Sequence, residues 1–271
     1  MTKKSNSSKK STFHFDKYSY YKRSVQSPES DVEFFRDTYR TIRRRNPSTL
    51  REDFCGTFSL CCEWIKLASK NHAYGIDLDP EPIQYGLKTY ASRLSNNQRA
   101  RLKIQQENVL NPGLPKVDVV CAMNFSHYIF KERAMLKAYF QNCYSTLKDD
   151  GVLISDCFGG SLCQQENQES TKYAGFTYYW DQKSFDPITN QAFFNIHFKP
   201  DGKKKIENVF SYDWRMWSIP ELREVMLEAG FKKTNVYWEG TTRSGTGNGI
   251  FKPSEKGEDC QAWIAYVVGE K

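Results

Sequence analysis

From Ser48 to Asp156 the chain alternates short strand-like runs with segments of helical period, and that alternation leaves few folds open. Thr49 to Phe54 reads as strand, Ser59 to Ser69 as helix, and Ala73 to Leu78 as strand again. Pro80 to Leu94 follows as helix, Arg101 to Asn108 and Val117 to Met123 as strands, Lys131 to Leu147 as helix, and Val152 to Asp156 as strand. Strands joined by crossover helices run parallel. The pattern therefore predicts a doubly wound α/β sheet whose strand C-termini share one edge, the edge at which such sheets bind ligands. Only the link from Asn108 to Val117 is too short and too rich in Pro for a helix.

The rhythm breaks between about residues 159 and 212. Phe176 to Trp180, Ala192 to Phe198 and Ile206 to Tyr212 read there as strands, separated by turns at Asp186-Pro187 and Pro200-Asp201-Gly202, which predicts an antiparallel β cap inserted into the sheet domain. The core pattern resumes with a helix at Ile219 to Ala229, started by Ser218-Ile219-Pro220 and closed by Gly230. Two last strands, Thr234 to Trp238 and Ala262 to Val268, flank a polar loop from Gly240 to Asp259. Before the sheet, Ser30-Asp31-Val32-Glu33 reads as a capping box opening a helix over about 31 to 45, which ends ahead of Asn46-Pro47. The predicted organisation is a disordered basic tail (1–12), an aromatic and basic segment with its helix (13–47), and the main domain (48–271).

Charge and cysteines narrow the partners. Residues 1–50 hold 12 Lys and Arg against 5 acids, which is the whole of the formal charge of +7, so any basic docking surface belongs to the N-terminal arm. No apolar run approaches the roughly 20 residues of a membrane span, and Met1 to Lys10 lacks the apolar stretch of a secretory signal. A cytoplasmic location without membrane contact is the expectation. The eight Cys include no CxxC pair and several lie in apolar runs, which predicts reduced core thiols and no metal site.

A ligand loop between strand and helix needs small residues where backbone N–H groups must come close to the ligand. Gly56 meets that need, Thr57 can turn a hydroxyl inward, and Glu52 at the strand end would attract a cationic amino group. Asp77 closes the second strand about 20 residues later, at the place where an acid can accept both hydroxyls of a ribose, while Asp79 is placed to cap the helix that begins at Pro80.

These residues resemble the class I methyltransferases that use S-adenosylmethionine (SAM), over about residues 48–158 and 212–270. Glu52-Asp53-Phe54-Cys55-Gly56-Thr57 is similar to the family's first motif, and Asp77 matches its ribose acid. Gln105 to Leu110 resembles the segment whose Asp or Asn, here Asn108, meets the adenine amine. Cys121-Ala122-Met123-Asn124 ends the fourth strand, and Phe125-Ser126-His127 resembles the active-site edge. Leu147 to Ile154 looks like the turn that opens the fifth strand. The resemblance implies a Rossmann-like, mostly parallel sheet of seven strands with an antiparallel last strand. It implies SAM as cofactor, held by Glu52, Phe54, Cys55, Gly56, Thr57, Asp77, Leu78, Asn108, Val109 and Asn124. The chain departs from the motif at Phe54 and Phe58, where the family carries its first and third glycines. The GxGxxG fingerprint of a nicotinamide enzyme is absent.

Methyl transfer from a sulfonium needs alignment and exclusion of water more than acid or base chemistry. Candidate acceptor-site residues are His127, Tyr21 and Tyr179, with Tyr20, Arg23, Tyr178, Trp180, Tyr212, Trp214, Arg215 and Trp217 as further groups that cap and arm could bring over the strand edge. Aromatic faces suit an amine through cation–π contact, so a small-molecule acceptor is expected. The resemblance also allows one of Arg40, Arg43 and Arg44 to hold the SAM carboxylate. Competing readings are an RNA or protein methyltransferase docking through the basic arm, and a binding protein whose cofactor site Phe54 and Phe58 have closed. Nucleic acid is not favoured, because no RNA-binding module is recognisable.

Overall fold

The computed structural model describes residues 13–243 and 246–271; the predicted basic tail, 1–12, lies outside the described residues. Two helices come first, α1 (Lys17–Val25) and α2 (Pro28–Arg43). The sheet then starts with β1 (Thr49–Asp53), α3 (Ser59–Leu67), β2 (His72–Asp77), α4 (Pro80–Thr89), a short α5 (Asn96–Arg99), β3 (Leu102–Gln106) and β4 (Val117–Ala122). After α6 (Arg133–Thr146) and β5 (Leu147–Gly159), four cap strands follow: β6 (Asn167–Tyr173), β7 (Phe176–Asp186), β8 (Gln191–Pro200) and β9 (Ile206–Arg215). The chain closes with α7 (Ile219–Glu228), β10 (Lys233–Thr241), β11 (Gly247–Pro253) and β12 (Trp263–Glu270).

The main sheet has eight strands in the order β11-β10-β12-β5-β4-β1-β2-β3. β1 to β5 pair in parallel, and β12 enters antiparallel between β5 and β10. This is the expected doubly wound sheet with one correction: the segment read as a polar loop contains β11, an eighth strand paired antiparallel with β10. Alternation along the strands sorts side chains into two cores. Leu50, Val119, Cys121 and Ile154 face α2 and α3, whereas Val120, Ala122 and Leu153 face α6 and α7. β1 also carries a buried ion pair on the α6 face, where Arg51 forks onto Asp53 at 2.7 and 3.0 Å and the Tyr139 hydroxyl donates to Asp53.

Other departures have local causes. α2 begins at Pro28 behind Ser27, so the box at Ser30 and Glu33 does not form and Pro supplies the first turn. The stretch Phe13 to Arg23 is largely helical, as α1. The cap holds four strands instead of three, β6-β7-β8-β9, and β9 runs on to Arg215. Phe176, Ile196 and Phe198 of the cap make a third small core with Phe15, Tyr20, Tyr21 and Val25. α1 thereby joins cap and main sheet: Lys17 pairs with Glu81 at 2.6 Å, and Tyr18 contacts both Tyr85 and Phe210. All eight cysteines are free thiols, and no helix among the described residues is long and apolar enough to cross a membrane.

Candidate active site

The turn from β1 to α3 takes its shape from three left-handed residues. Phe54, Gly56 and Phe58 have φ of 58°, 51° and 47°, so the two phenylalanines adopt the backbone that glycines adopt readily. Left-handed backbone costs an L-residue about 1 kcal/mol or more, and here the rings offset it. Phe58 is fully buried in the α2–α3 core and sits where a side chain on Gly86 of α4 would stand. Phe54 packs on Phe130 and Tyr139. Both rings point away from the strand edge. A Cβ built on Gly56 meets nothing within 4 Å, so space lies open over the loop.

Asp77 ties this turn to β2: one carboxylate oxygen accepts from the Gly56 amide at 2.7 Å and the other from the Asp79 amide at 2.9 Å. Asp79 caps α4 through the Glu81 amide. Leu78 beside it is an apolar side chain left 61% exposed. Asn108 makes an Asx turn to the Leu110 amide, which leaves its carboxamide N–H groups facing outward from that bond, and Val109 is buried. Glu52 accepts from the Cys61 amide in the first turn of α3, and burial pushes its carboxyl up to about 8. It caps the helix from within the core. Cys55 and Thr57 are also buried, with the Cys55 side chain against Gly75.

A cavity of about 520 Å³ opens at the same strand edge, between α1, α2, the ends of β4 and β5, β12 and the cap. Tyr21, Phe125, Phe158, Tyr178, Trp180, Tyr212 and Trp214 supply aromatic wall, and Asn124 and Met123 the β4 end. Its charged lining is Asp31, Asp156 and Glu169, with no Lys, Arg or His among the described residues. Asp31 accepts from the Tyr266 hydroxyl at 3.2 Å, and burial raises it to about 6. Asp156 accepts the amides of Asn124 and Phe125 at 2.7 and 2.9 Å, and burial raises it to about 7 against the lowering effect of those two donors.

Of the three leading acceptor candidates, Tyr21 alone lines the cavity. His127 is fully buried against Tyr128 and Phe140, neither ring nitrogen has a partner, and burial lowers it to about 3. It is a core residue out of reach of an acceptor. Tyr179 alternates to the outer face of β7, where Lys205 stands 4.4 Å over its ring, while its neighbours Tyr178 and Trp180 face inward. Tyr20 belongs to the cap core, Arg23 stacks on Phe176, and Arg215 stacks 3.8 Å over Trp217, whose indole donates to the Phe130 carbonyl. The arginines of α2 lie at the opposite end of the sheet: Arg43 pairs with Glu270 and the Asp150 carbonyl, Arg40 with Asp37, and Arg44 ends the helix. None reaches the cavity. Sequence reasoning missed Asp31 and Asp156. The available signal was an acid closing the apolar run from Val152 to Ser155.

Comparison with known proteins agrees with this geometry. Residues 55–153 match the family model described as a methyltransferase domain. The chain has the class I methyltransferase fold. A SAM-dependent methyltransferase of Clostridium acetobutylicum superposes with a TM-score of 0.64 at 17% identity, covering 93% of this chain and 96% of its own. The sugar N-methyltransferase KedS8 of Streptoalloteichus gives 0.62 at 16% identity, over 100% and 98% of the two chains. The amino pentose methyltransferase CalS10 of Micromonospora echinaspora gives 0.65 at 13%, over 96% and 99%. No curated relative matches the sequence.

Proposed function

We propose that this chain is a SAM-dependent methyltransferase acting on a small-molecule acceptor that carries an amine. The observation that carries the reading is the cavity: aromatic rings and carboxylates with no cationic side chain among the described residues, at the strand edge of a methyltransferase fold. Such a wall fits positively charged ligands. Among solved structures with this fold, one is named a sugar N-methyltransferase and another an amino pentose methyltransferase, which supports an amine acceptor.

The donor set fits SAM. Asp77 has lone pairs left for ribose hydroxyls, Leu78 offers apolar surface to an adenine, Asn108 offers its carboxamide, and Val109 backs that turn from the core. The open space at Gly56 and the buried side of Thr57 leave room for close backbone approach, and Asn124 borders the cavity where the methionine end would lie. Glu52, Phe54 and Cys55 support the loop from beneath. When bound, SAM supplies a methyl group already activated by its sulfonium charge. The protein's part is to align the acceptor, which falls to the aromatic walls, and to exclude water, which falls to α1 and the cap.

Calorimetry with SAM and with its demethylated product tests the cofactor site. Asp77→Ala is expected to weaken both by at least about tenfold, since it removes a charged acceptor and unties the loop. Undiminished affinity would remove the ribose assignment. An acceptor screen with labelled SAM across amines, RNA and protein extracts tests the rest, and label entering RNA or protein but no small amine would overturn the small-molecule reading.

A further inference from the structure

β5 lies in the middle of the sheet between β4 and β12, and Asp156 follows its most apolar run. A carboxylate there is costly unless each oxygen finds a donor. The donors are two consecutive amides, those of Asn124 and Phe125, which converge on one carboxylate because both residues are left-handed, with φ of 56° and 59°. Two non-glycine residues in that conformation hold strain that the carboxylate fixes in place. The arrangement also fixes the carboxylate: both oxygens are anchored, yet each keeps a lone pair, and the group opens on the cavity while only 6% exposed.

The turn alone accounts for two accepted hydrogen bonds. It does not account for a carboxylate facing a ligand cavity without a counter-cation. The titratable groups within electrostatic reach of Asp156 are Tyr21 of α1, Asp31 of α2, Cys121 of β4, Tyr128 after β4, Cys157 of β5 and Tyr266 of β12, and none of these carries a positive charge.

We propose that Asp156 is the residue that receives the acceptor: its carboxylate hydrogen-bonds the acceptor's ammonium group and takes a proton from it before methyl transfer. This rests on the methyltransferase reading above. In the step, an N–H bond breaks, its electron pair stays on nitrogen as the attacking lone pair, and the proton stays on Asp156 until product release returns it to solvent. Tyr21 and Tyr212 flank the site as aromatic faces for the same cation. The lack of cations among the described lining residues also favours an acceptor whose entering end bears no carboxylate or phosphate.

Three probes of one shape and different charge test this without the methyl donor: cyclohexylamine, cyclohexanol and cyclohexanecarboxylate, titrated by NMR into the wild-type protein and into Asp156→Asn. The wild type is expected to bind the amine at least tenfold better than the alcohol, and to bind the carboxylate least. Asp156→Asn should lose that tenfold for the amine and leave the alcohol unchanged. Amine binding to the wild type should also strengthen as pH rises through about 7, where Asp156 ionises. Equal affinity for amine and alcohol, no amine binding, or an amine affinity that Asp156→Asn leaves intact would each overturn the proposal. The demethylated product of SAM serves as the separate control. If Asp156→Asn loses that ligand while keeping the amine, the carboxylate serves the cofactor and the proposal fails. If the wild type never binds it, the methyltransferase reading fails by itself. Should Asp156→Asn not fold, Asp156→Glu and the wild-type pH dependence carry the same decision. Once an acceptor is found, a purely structural role would lower kcat at every pH, whereas loss of the proton acceptor shifts the pH profile toward that of the free amine.

Discussion

Two left-handed turns stand at the same sheet edge, one after β1 and one after β4, and they solve the same problem in opposite ways. Each places non-glycine residues at positive φ, and each is tied down by an acid of the adjacent strand, Asp77 for the first and Asp156 for the second. After β1 the phenylalanine rings turn inward, so the strain is offset by core packing and the face toward solvent is left open. After β4 the Phe125 ring and the tying carboxylate both look into the cavity. The first turn is a scaffold whose side chains serve stability. The second exposes its chemistry, and its tie is a group that titrates.

The largest blow to that contrast falls on the scaffold. Phe58→Ala empties a fully buried site yet keeps a strained backbone, so a loss of about 3–5 kcal/mol is expected in urea unfolding. Phe125→Ala, at a half-buried ring, should cost clearly less, and equal losses would erase the distinction between the turns. The next effect is pH dependence. Burial raises Glu52 to about 8 and Asp156 to about 7, so over this range the unfolded chain has already given up protons that the folded chain still holds. Stability therefore falls as pH rises. His127, lowered to about 3, works in the other direction, but only below the ordinary histidine range. Between about pH 6.5 and 8 the carboxylates lead, with the buried thiols, raised by burial, adding in the same direction toward pH 8, and a drop of at least roughly 2 kcal/mol in the ligand-free protein is expected. A flat melting temperature across that window would remove the carboxylates as a store of unfavourable charge. The smallest effect belongs to Asn124→Gly. Asn tolerates left-handed backbone, so exchange for Gly should move stability by less than about 1 kcal/mol. A larger change would mean that the Asn124 side chain, and not only its amide, holds the second turn.

The sequence carried these two turns unequally. The alternation from Ser48 to Asp156 was legible because buried parallel strands and amphipathic helices each impose a period. The first turn was legible through Gly56 and Asp77, whose spacing is set by the strand–helix–strand unit. β6 was not, because Asn167–Tyr173 is an exposed edge strand of polar residues with no buried face to mark it. β11 was hidden for the same reason, within a Gly-rich stretch exposed along most of its length. Asp156 was hidden differently. Its role depends on amides 31 and 32 residues earlier and on a cavity closed by α1, α2 and β12, none of which leaves a local pattern. His127 and Tyr179 misled because residue type suggests chemistry, whereas strand alternation and burial decide which way a side chain points.

The place of β12 has a consequence for biosynthesis. It follows β10 and β11 in the chain but lies between β5 and β10, paired with residues 152 to 159 on one side. Until residues 263 to 270 have left the ribosome, β5 presents a bare apolar edge, and β10 has no neighbour to join it to the rest of the sheet. A nascent chain paused in that interval offers a template for pairing with other chains. Slower passage through the β10–β11 hairpin is expected to lengthen that exposure, a hazard that the finished sheet no longer shows.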